Sequence, residues 1–168
     1  IWDICFDPAG DRLAWAVRFD RGNYGVAVDG AEWEKTFQAV WRPVFCDNGK
    51  SVAAPVRTGG KWYLYKDNQP LWQDGYDNIW RLAQNPAGSD LAAIVSPGFG
   101  KWTVACNDCP WTLTWNTMVR DLYFSKDGTS IAAVYKDSGN WGLALDDKAW
   151  TLSCDKIFTP DMNADGSV

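Results

Sequence analysis

The feature of this sequence that most constrains its fold is a repeat of 39 residues. Tryptophan recurs at this spacing three times running, and a second series of large apolar residues keeps the same period at another position. The first series consists of Trp33, Trp72, Trp111 and Trp150, and the second of Trp2, Trp41, Trp80, Val119 and Phe158. A fixed period of this length indicates a repeat architecture rather than a single irregular domain.

The sequence pattern of each repeat predicts four antiparallel β-strands. In the first repeat, "WDICF" leads through a Gly turn to "LAWAV", and a second Gly turn leads to "YGVAV". An Asp/Asn turn then precedes a fourth strand, which we expect to hold Trp33 and its equivalents. These turns supply the positive-φ positions that tight hairpins need, and no stretch with a 3.6-residue period is long enough for a helix.

We predict an all-β fold, a β-propeller built from four-stranded antiparallel blades of about 39 residues. The periodic tryptophans would fill the space between adjacent sheets. The predicted single domain covers residues 1–168, with blades at 1–40, 41–79, 80–118 and 119–157 and the start of a fifth repeat at 158–168. We expect a fragment of a longer propeller, whose terminal faces meet in a strained closure or associate with a second chain.

Charge narrows the classes of partner. The chain has 16 Lys and Arg against 21 Asp and Glu, a net charge of −5. Phosphate backbones attract basic surfaces, so we expect no nucleic-acid partner. No apolar run is long enough to span a membrane. The balance suits a basic protein partner.

The candidate chemistry is sparse, because the chain has no histidine and five cysteines. Catalytic arrangements that need histidine are therefore excluded. Cys106 and Cys109 form a C-x-x-C motif that would suit a redox pair, although plain thiols beside a turn are the alternative. A metal site would need further ligands from other repeats, and we expect no metal, no cofactor and no enzymatic activity.

Two sets of residues are candidate partner-binding residues. The turns between second and third strands carry one set, in which Phe99 would be an exposed anchor: Arg18, Arg21, Arg57, Lys61, Phe99, Lys101 and Lys136. The other set follows the first-strand aromatic of each repeat: Arg42, Arg81 and Arg120, with Asp3 in the first repeat. These could form a partial cationic ring or could simply be solvated charges.

The stretches "CFDPAGDRLAWAV" and "YFSKDGTSIAAVY" resemble the strand–turn–strand core of TolB-type and WD-repeat propellers. The Trp-led first strands also resemble the tryptophan-rich, WD-like subunit of the Tmc complex. That complex is a membrane-bound electron-transfer assembly of sulfate-reducing bacteria. The resemblance implies a cytoplasmic scaffold that reaches the inner face of the membrane through haem or iron–sulfur partner subunits.

Three functional hypotheses follow. The first is a non-catalytic protein-interaction scaffold, and a redox propeller that uses Cys106 and Cys109 is another. The third is a carbohydrate-binding propeller, which requires exposed tryptophans outside the packing set. The candidates for that role are Trp2, Trp15, Trp41, Trp80 and Trp115.

Overall fold

The structure, a computed structural model, describes residues 1–157 apart from the side chains of Leu152 and Ser153. The described chain consists of β-strands joined by turns, and its residues form two compact units, Ile1–Leu82 and the residues from Ala83 onward. Residues 1–157 contain no helix that is long and apolar enough to cross a membrane.

The first unit contains two antiparallel sheets. Blade 1 has the strand order β1-β2-β3-β4, and blade 2 has the order β5-β7-β8-β9 with β6 also pairing with β7. Their strands are β1 Trp2–Phe6, β2 Leu13–Asp20, β3 Asn23–Val28, β4 Ala31–Glu32, β5 Ala39–Val40, β6 Val44–Cys46, β7 Ser51–Thr58, β8 Lys61–Lys66 and β9 Gln69–Pro70.

Two further sheets follow along the chain. Blade 3 has the order β10-β11-β12-β13, and blade 4 has the order β14-β15-β16-β17. Their strands are β10 Asn78–Gln84, β11 Leu91–Gly98, β12 Lys101–Cys106, β13 Cys109–Pro110, β14 Met118–Phe124, β15 Ile131–Asp137, β16 Asn140–Leu145 and β17 Lys148–Cys154. The predicted blade limits remain predictions, and the predicted fifth repeat at 158–168 lies outside the described residues.

Each unit has one core between two sheets, and the two cores use equivalent residues. The first core comprises Cys5, Ala14, Ala16, Val26 and Phe37 against Val40, Phe45, Val52, Ala54 and Val56. The second comprises Ala92, Ile94, Val104 and Trp115 against Val119, Leu122, Ile131, Ala133 and Ala144. Small residues in the second strand of each blade let the facing sheet approach closely, as the sequence indicates.

In each blade, the Asp or Asn of the turn before the fourth strand makes two hydrogen bonds to a residue at the start of the second strand, an arrangement that we call the clip. In blade 1, Asp29 Oδ1 accepts a hydrogen bond from Leu13 N at 2.8 Å, and Asp29 N donates to Leu13 O at 2.8 Å. The same two bonds join Asp67 to Val52, Asn107 to Leu91 and Asp146 to Ile131. All four turn residues have positive φ, between 45° and 51°. An Asp or Asn side chain both tolerates this conformation and supplies the acceptor.

Two sequence expectations about strand limits are wrong. The fourth strands β4, β9 and β13 end before Trp33, Trp72 and Trp111, and of the periodic tryptophans only Trp150 lies inside a fourth strand. The three earlier tryptophans still donate backbone hydrogen bonds to the third strand, for example Trp33 N to Val26 O at 2.8 Å. The pairing therefore continues past a local irregularity.

The second repeat should begin with a strand over "WRPVF", the equivalent of "WDICF" in the first repeat, but this strand is interrupted because Trp41 to Pro43 separate β5 from β6. Pro43 has no N–H to donate to the sheet, which explains the break. Arg42 therefore lies between strands and not in one.

Candidate functional site

A row of cross-strand pairs places two of the predicted arginines beside aromatic residues in the first unit. Arg18 lies opposite Tyr24 between β2 and β3, and Arg57 lies opposite Trp62 between β7 and β8. Directly opposite residues of antiparallel strands present their side chains on the same face of the sheet. Arg57 also pairs with Ala39 on its other side. Both arginine side chains are exposed, so blades 1 and 2 each present a cation beside an aromatic side chain on the same face of the sheet.

Three tryptophans of the first unit form a cluster next to Arg57, which we call the tryptophan cluster: Trp41, Trp62 and Trp80. The rings of Trp41 and Trp62 are stacked, with centroids 5.3 Å apart and planes 7° apart. Trp80 meets Trp41 edge to face, at 6.1 Å and 87°. Trp62 is buried, whereas 38% of Trp41 and 48% of Trp80 are exposed. The buried indole of Trp62 thus supports Trp41, and Trp41 in turn contacts Trp80.

The other turn cations of the first unit are more varied. Lys61 Nζ lies 2.6 Å from Asp77 Oδ1 in an exposed ion pair, which reduces its local positive charge. Arg18 Nε donates to the carbonyl of Asp20 within its own turn at 3.0 Å. Arg21 is exposed. The turn cations of this unit are therefore at the surface, but the charge of Lys61 is offset by Asp77, and their role in partner binding stays a prediction.

In the second unit, Phe99 is fully exposed at the tip of the β11–β12 turn, and Lys101 beside it is exposed as well. Lys136 instead lies over the ring of Trp141, with Nζ 5.4 Å from the ring centroid. Phe99 and Lys101 are therefore accessible, and their role as a docking anchor with a nearby cation stays a prediction. That all seven turn residues act as one docking surface remains a prediction.

The residues after the first-strand aromatics occupy irregular backbone. Asp3 and Arg81 have positive φ, 53° and 47°, and the β14–β15 register shifts around Arg120. Bulges of this kind re-aim a side chain away from the regular alternation of a strand. Arg42 and Arg81 are exposed. The sequence pattern of one charge per repeat therefore marks a recurrent irregularity of the backbone at the first strand.

The guanidinium of Arg120 is held in place by three contacts. Nε lies 2.6 Å from Asp121 Oδ2, and Nη1 donates to the carbonyl of Ile157 at 3.0 Å. The guanidinium also covers the ring of Trp141 at 4.9 Å. These contacts explain the position of Arg120 by local structure. A cationic ring that includes all three arginines remains a prediction.

The C-x-x-C pair occupies the β12–β13 hairpin. Cys106 and Cys109 are direct cross-strand partners on either side of Asn107 and Asp108. Burial raises the pKa of the Cys106 thiol to about 11, with the charges of Asp90 and Cys109 acting in the same direction. Cys109 is exposed. A raised pKa leaves Cys106 almost entirely protonated at neutral pH, which disfavours its use as a nucleophile.

Among residues 1–157, no group of three or more Cys, Asp or Glu side chains is arranged to hold a metal ion.

The tryptophans singled out for sugar binding divide into three classes by their exposure to solvent. Trp115 is buried, and Trp2 and Trp15 are half-buried. Trp41 and Trp80 are the exposed ones. The sequence did not single out Trp62, although it stands at the start of a third strand, where each repeat carries an aromatic.

Comparison with known proteins identifies the fold of this chain. No protein-family model and no curated protein sequence matches the chain. A solved structure, TolB from Acinetobacter baumannii, superposes with a TM-score of 0.58 at 18% sequence identity. The fold is a β-propeller. The predicted fold class is thereby confirmed.

The match covers 88% of this chain and 41% of the TolB chain, so this propeller chain spans less than half of that protein. At this level of identity the likeness concerns the fold alone. Function must therefore be argued from the residues of this propeller itself.

Proposed function

We propose that this chain is a non-catalytic protein-binding propeller that docks a partner on the tryptophan cluster and Arg57. The observation that carries the proposal is the exposed pair Trp41 and Trp80, held in edge contact while Trp41 stacks on the buried Trp62. Rigid aromatic side chains lose little conformational entropy when a partner binds. Two such rings, already fixed by their neighbours, form a preorganised surface.

The composition of this surface matches that of energetically dominant interface residues. Trp, Tyr and Arg are enriched among residues whose truncation costs the most binding energy. Arg57 lies opposite Trp62 on the same face of blade 2 and is exposed. A partner segment that combines a carboxylate with an aromatic or aliphatic side chain would suit this arrangement.

The finer form of the proposal is an accessory subunit of a membrane-associated electron-transfer complex. It is supported by the resemblance of the Trp-led repeats to the tryptophan-rich subunit of the Tmc complex. In this form the chain is cytoplasmic, and partner subunits that carry haem or iron–sulfur clusters hold it at the inner face of the membrane. The propeller would then provide a docking surface and no redox centre of its own.

The test is capture of partners by the tagged protein from native membranes and lysate, compared with its Trp80→Ser variant. We expect one or more proteins in fixed ratio with the wild type and their loss with Trp80→Ser. Phe99→Ser is the matched control, because Phe99 is also an exposed aromatic but lies on the β11–β12 turn. Loss with Phe99→Ser alone would move the docking site to that turn.

The identity of the captured proteins tests the finer form separately. Recovery of haem and iron–sulfur subunits would support the electron-transfer role. Recovery of other proteins that depend on Trp80 would retain protein docking and reject that role. If the wild type captures nothing, the protein-docking proposal fails.

Carbohydrate binding is the second candidate, and the exposure of Trp41 and Trp80 favours it as well. Sugar rings stack on exposed indoles, and such stacking would change tryptophan fluorescence. Titration with a panel of soluble oligosaccharides, using wild type and Trp80→Ser, distinguishes the two functions. Saturable quenching that disappears in the variant would establish sugar binding, and no response across the panel would exclude it for those sugars.

A further inference from the structure

Blade 2 contains a cavity of about 250 Å³, which we call the tyrosine cavity. Its lining residues come from a single stretch of the first unit, residues 58–73, and all of them are uncharged. They include Thr58, Tyr63, Tyr65, Pro70, Trp72 and Gln73. A neutral lining of this kind suits a ligand that is itself neutral where it enters the cavity.

Two tyrosines of β8 form the aromatic wall of the tyrosine cavity. Tyr63 and Tyr65 alternate with Trp62 and Leu64 along the strand, so they lie on the opposite face of the sheet from Trp62. On their face, Tyr65 packs against the first core, with its ring centroid 5.0 Å from that of Phe37. The wall is therefore anchored in the core and is separate from the tryptophan cluster.

The ring of Tyr63 is positioned by the lack of a side chain at Gly75. A Cβ on Gly75 would lie 2.7 Å from both Cζ and Oη of Tyr63, which is too close for a van der Waals contact. The tyrosine ring thus lies directly against the backbone of Gly75. Both rings of the wall are held by their neighbours before any ligand binds.

The wall also offers hydroxyl groups that are available to a ligand. The hydroxyls of Thr58, Tyr63 and Tyr65 make no hydrogen bond to another residue in the described part of the chain. Both tyrosines are half-buried, and Thr58 is exposed. Because each hydroxyl can donate one hydrogen bond, the lining combines aromatic surface with donors.

A proline-rich segment in the polyproline II conformation meets these requirements. Its backbone makes no internal hydrogen bonds, so its carbonyl oxygens can accept from the hydroxyls, and proline has no N–H that would need an acceptor. Grooves lined by aromatic residues recognise such segments through their preformed conformation. The rigid segment also loses little conformational entropy when it binds.

Charge beside the wall adds a further requirement. Lys35 is exposed, and its Nζ lies 5.5 Å from the centroid of the Tyr65 ring. Its nearest side-chain partner is neutral, since Nζ lies 3.5 Å from Gln69 Oε1. An acidic residue next to the prolines would therefore complement this cation.

We propose that the tyrosine cavity binds a proline-rich segment of a partner protein, with an acidic residue of that segment facing Lys35. The proline rings pack on Tyr63 and Tyr65, and the hydroxyls donate to the carbonyl oxygens of the segment. This inference does not rest on the proposed docking site, because the residues of the tryptophan cluster do not line the cavity.

The experiment measures binding of labelled peptides to the purified chain by fluorescence anisotropy, with circular dichroism to verify folding. The probes are decaproline, decaproline that begins with two aspartates, and a Gly/Ser peptide of the same length. We expect saturable binding of both proline peptides, tighter for the acidic one, and no binding of the Gly/Ser peptide. Lys35→Gln should abolish the difference between the two proline peptides.

Substitutions in the wall assign the site. Tyr63→Ala should weaken binding of the proline peptides about thirtyfold or more, as loss of a central aromatic does. Tyr65→Phe removes only a hydroxyl and should weaken it about three- to tenfold. Gly75→Ala should also weaken binding, because it displaces the Tyr63 ring. Gly142→Ala is the matched control, since a Cβ there crowds the ring of Tyr135 in blade 4, outside the cavity, and it should bind like the wild type.

Four outcomes would overturn the proposal. The proline peptides could fail to bind up to about 1 mM, or the Gly/Ser peptide could bind equally well. The affinity could survive both Tyr63→Ala and Gly75→Ala, or fall with Trp80→Ser instead, which would move the peptide to the tryptophan cluster. A neutral oligosaccharide could bind in place of the peptides and be lost with Tyr63→Ala, which would make the cavity a sugar site. If Tyr63→Ala fails to fold, Tyr63→Phe and Gly75→Ala together serve the same purpose.

Discussion

The carboxylate of Asp146 accepts a hydrogen bond from the backbone N–H of Ile131 at 2.7 Å, and the N–H of Asp146 donates back to the Ile131 carbonyl at 3.0 Å. This reciprocal pair joins the β16–β17 hairpin to the start of β15. An Asp or Asn makes the same pair in each of the other three blades, so the clip belongs to the repeat. Every blade is therefore fastened from within.

The clip can be tested in blade 2 with Asp67→Ala. The substitution removes the acceptor of the Val52 N–H, which lies in a buried residue, and we expect a loss of about 1–3 kcal/mol in the free energy of unfolding. Asp67→Asn is the matched control, because Asn107 makes the equivalent bond in blade 3 at 3.1 Å. Urea unfolding of both variants measures the difference. Equal stability of the two variants would contradict the role of the side-chain acceptor.

A second prediction concerns crowding at Gly128. The residue has φ of 74°, and a Cβ at this position would overlap the amide of Asn85, whose Nδ2 donates to the Gly128 carbonyl at 2.9 Å. Gly128→Ala should therefore lower the free energy of unfolding by more than backbone strain alone, which costs of order 1–3 kcal/mol. Gly139→Ala isolates the strain, because Gly139 has φ of 90° and open space around its Cβ position. Similar thermal midpoints for the two variants would argue against the crowding.

A third prediction is acid sensitivity at Asp147. Partial burial opposes ionisation of this carboxylate, but hydrogen bonds from Leu113 N, Thr112 N and the Thr112 hydroxyl outweigh it, and the pKa of Asp147 is lowered. A carboxylate with a lowered folded-state pKa stabilises the protein above its unfolded pKa of about 4, and this contribution disappears as the pH falls through that value toward the folded pKa.

The wild type should accordingly be more stable than Asp147→Asn at pH 6, and the gap should narrow toward pH 3. Thermal midpoints measured for both proteins across this range provide the check. A gap that stays constant with pH would show that the ionised form of Asp147 is not favoured in the folded state.

Thiol labelling tests the chemistry of the C-x-x-C hairpin. Burial raises the pKa of Cys106 to about 11, and burial also raises the pKa of Cys46 to about 11, with Asp47 adding to the effect. Cys109 is exposed. At pH 8 a limiting amount of iodoacetamide should therefore modify Cys109 well before Cys106 or Cys46, as read by peptide mass spectrometry.

Cys109→Ser should remove the fast phase of that reaction, and Cys106→Ser should leave it unchanged. Labelling of Cys106 as fast as that of Cys109 would contradict the protonated state of the buried thiol. Rapid formation of a Cys106–Cys109 disulfide under mild oxidation would revive the redox hypothesis for this propeller.

The sequence predicted the architecture because its strongest signals are local and repeated. Turn residues with positive φ, such as Asp29 and Gly30, mark hairpins wherever they occur, and the 39-residue period states that the same hairpins recur. The limits of strands were less predictable. Pro43 interrupts a strand whose apolar pattern continues, because the apolar pattern alone does not reveal a missing backbone hydrogen bond.

The candidate site was partly predictable for a related reason. The sequence identified Trp41 and Trp80 as possible exposed aromatics, because they stand at one position of the period. It could not identify Trp62 as the support of Trp41, since their stacking depends on the directions of two side chains that are not close in sequence. Arg120 shows the same limitation, because its pairing with Asp121 and the Ile157 carbonyl depends on the local bulge.

The clip has a consequence for the history of such a chain. Because the acceptor and the donor of each clip lie at most 16 positions apart, a duplicated or deleted segment of one period carries both hydrogen-bonding partners with it. A gene that encodes this repeat can gain or lose whole blades by unequal recombination without separating the donor of such a hydrogen bond from its acceptor. The number of blades can then change during evolution, and selection acts on the faces by which successive blades pack on one another.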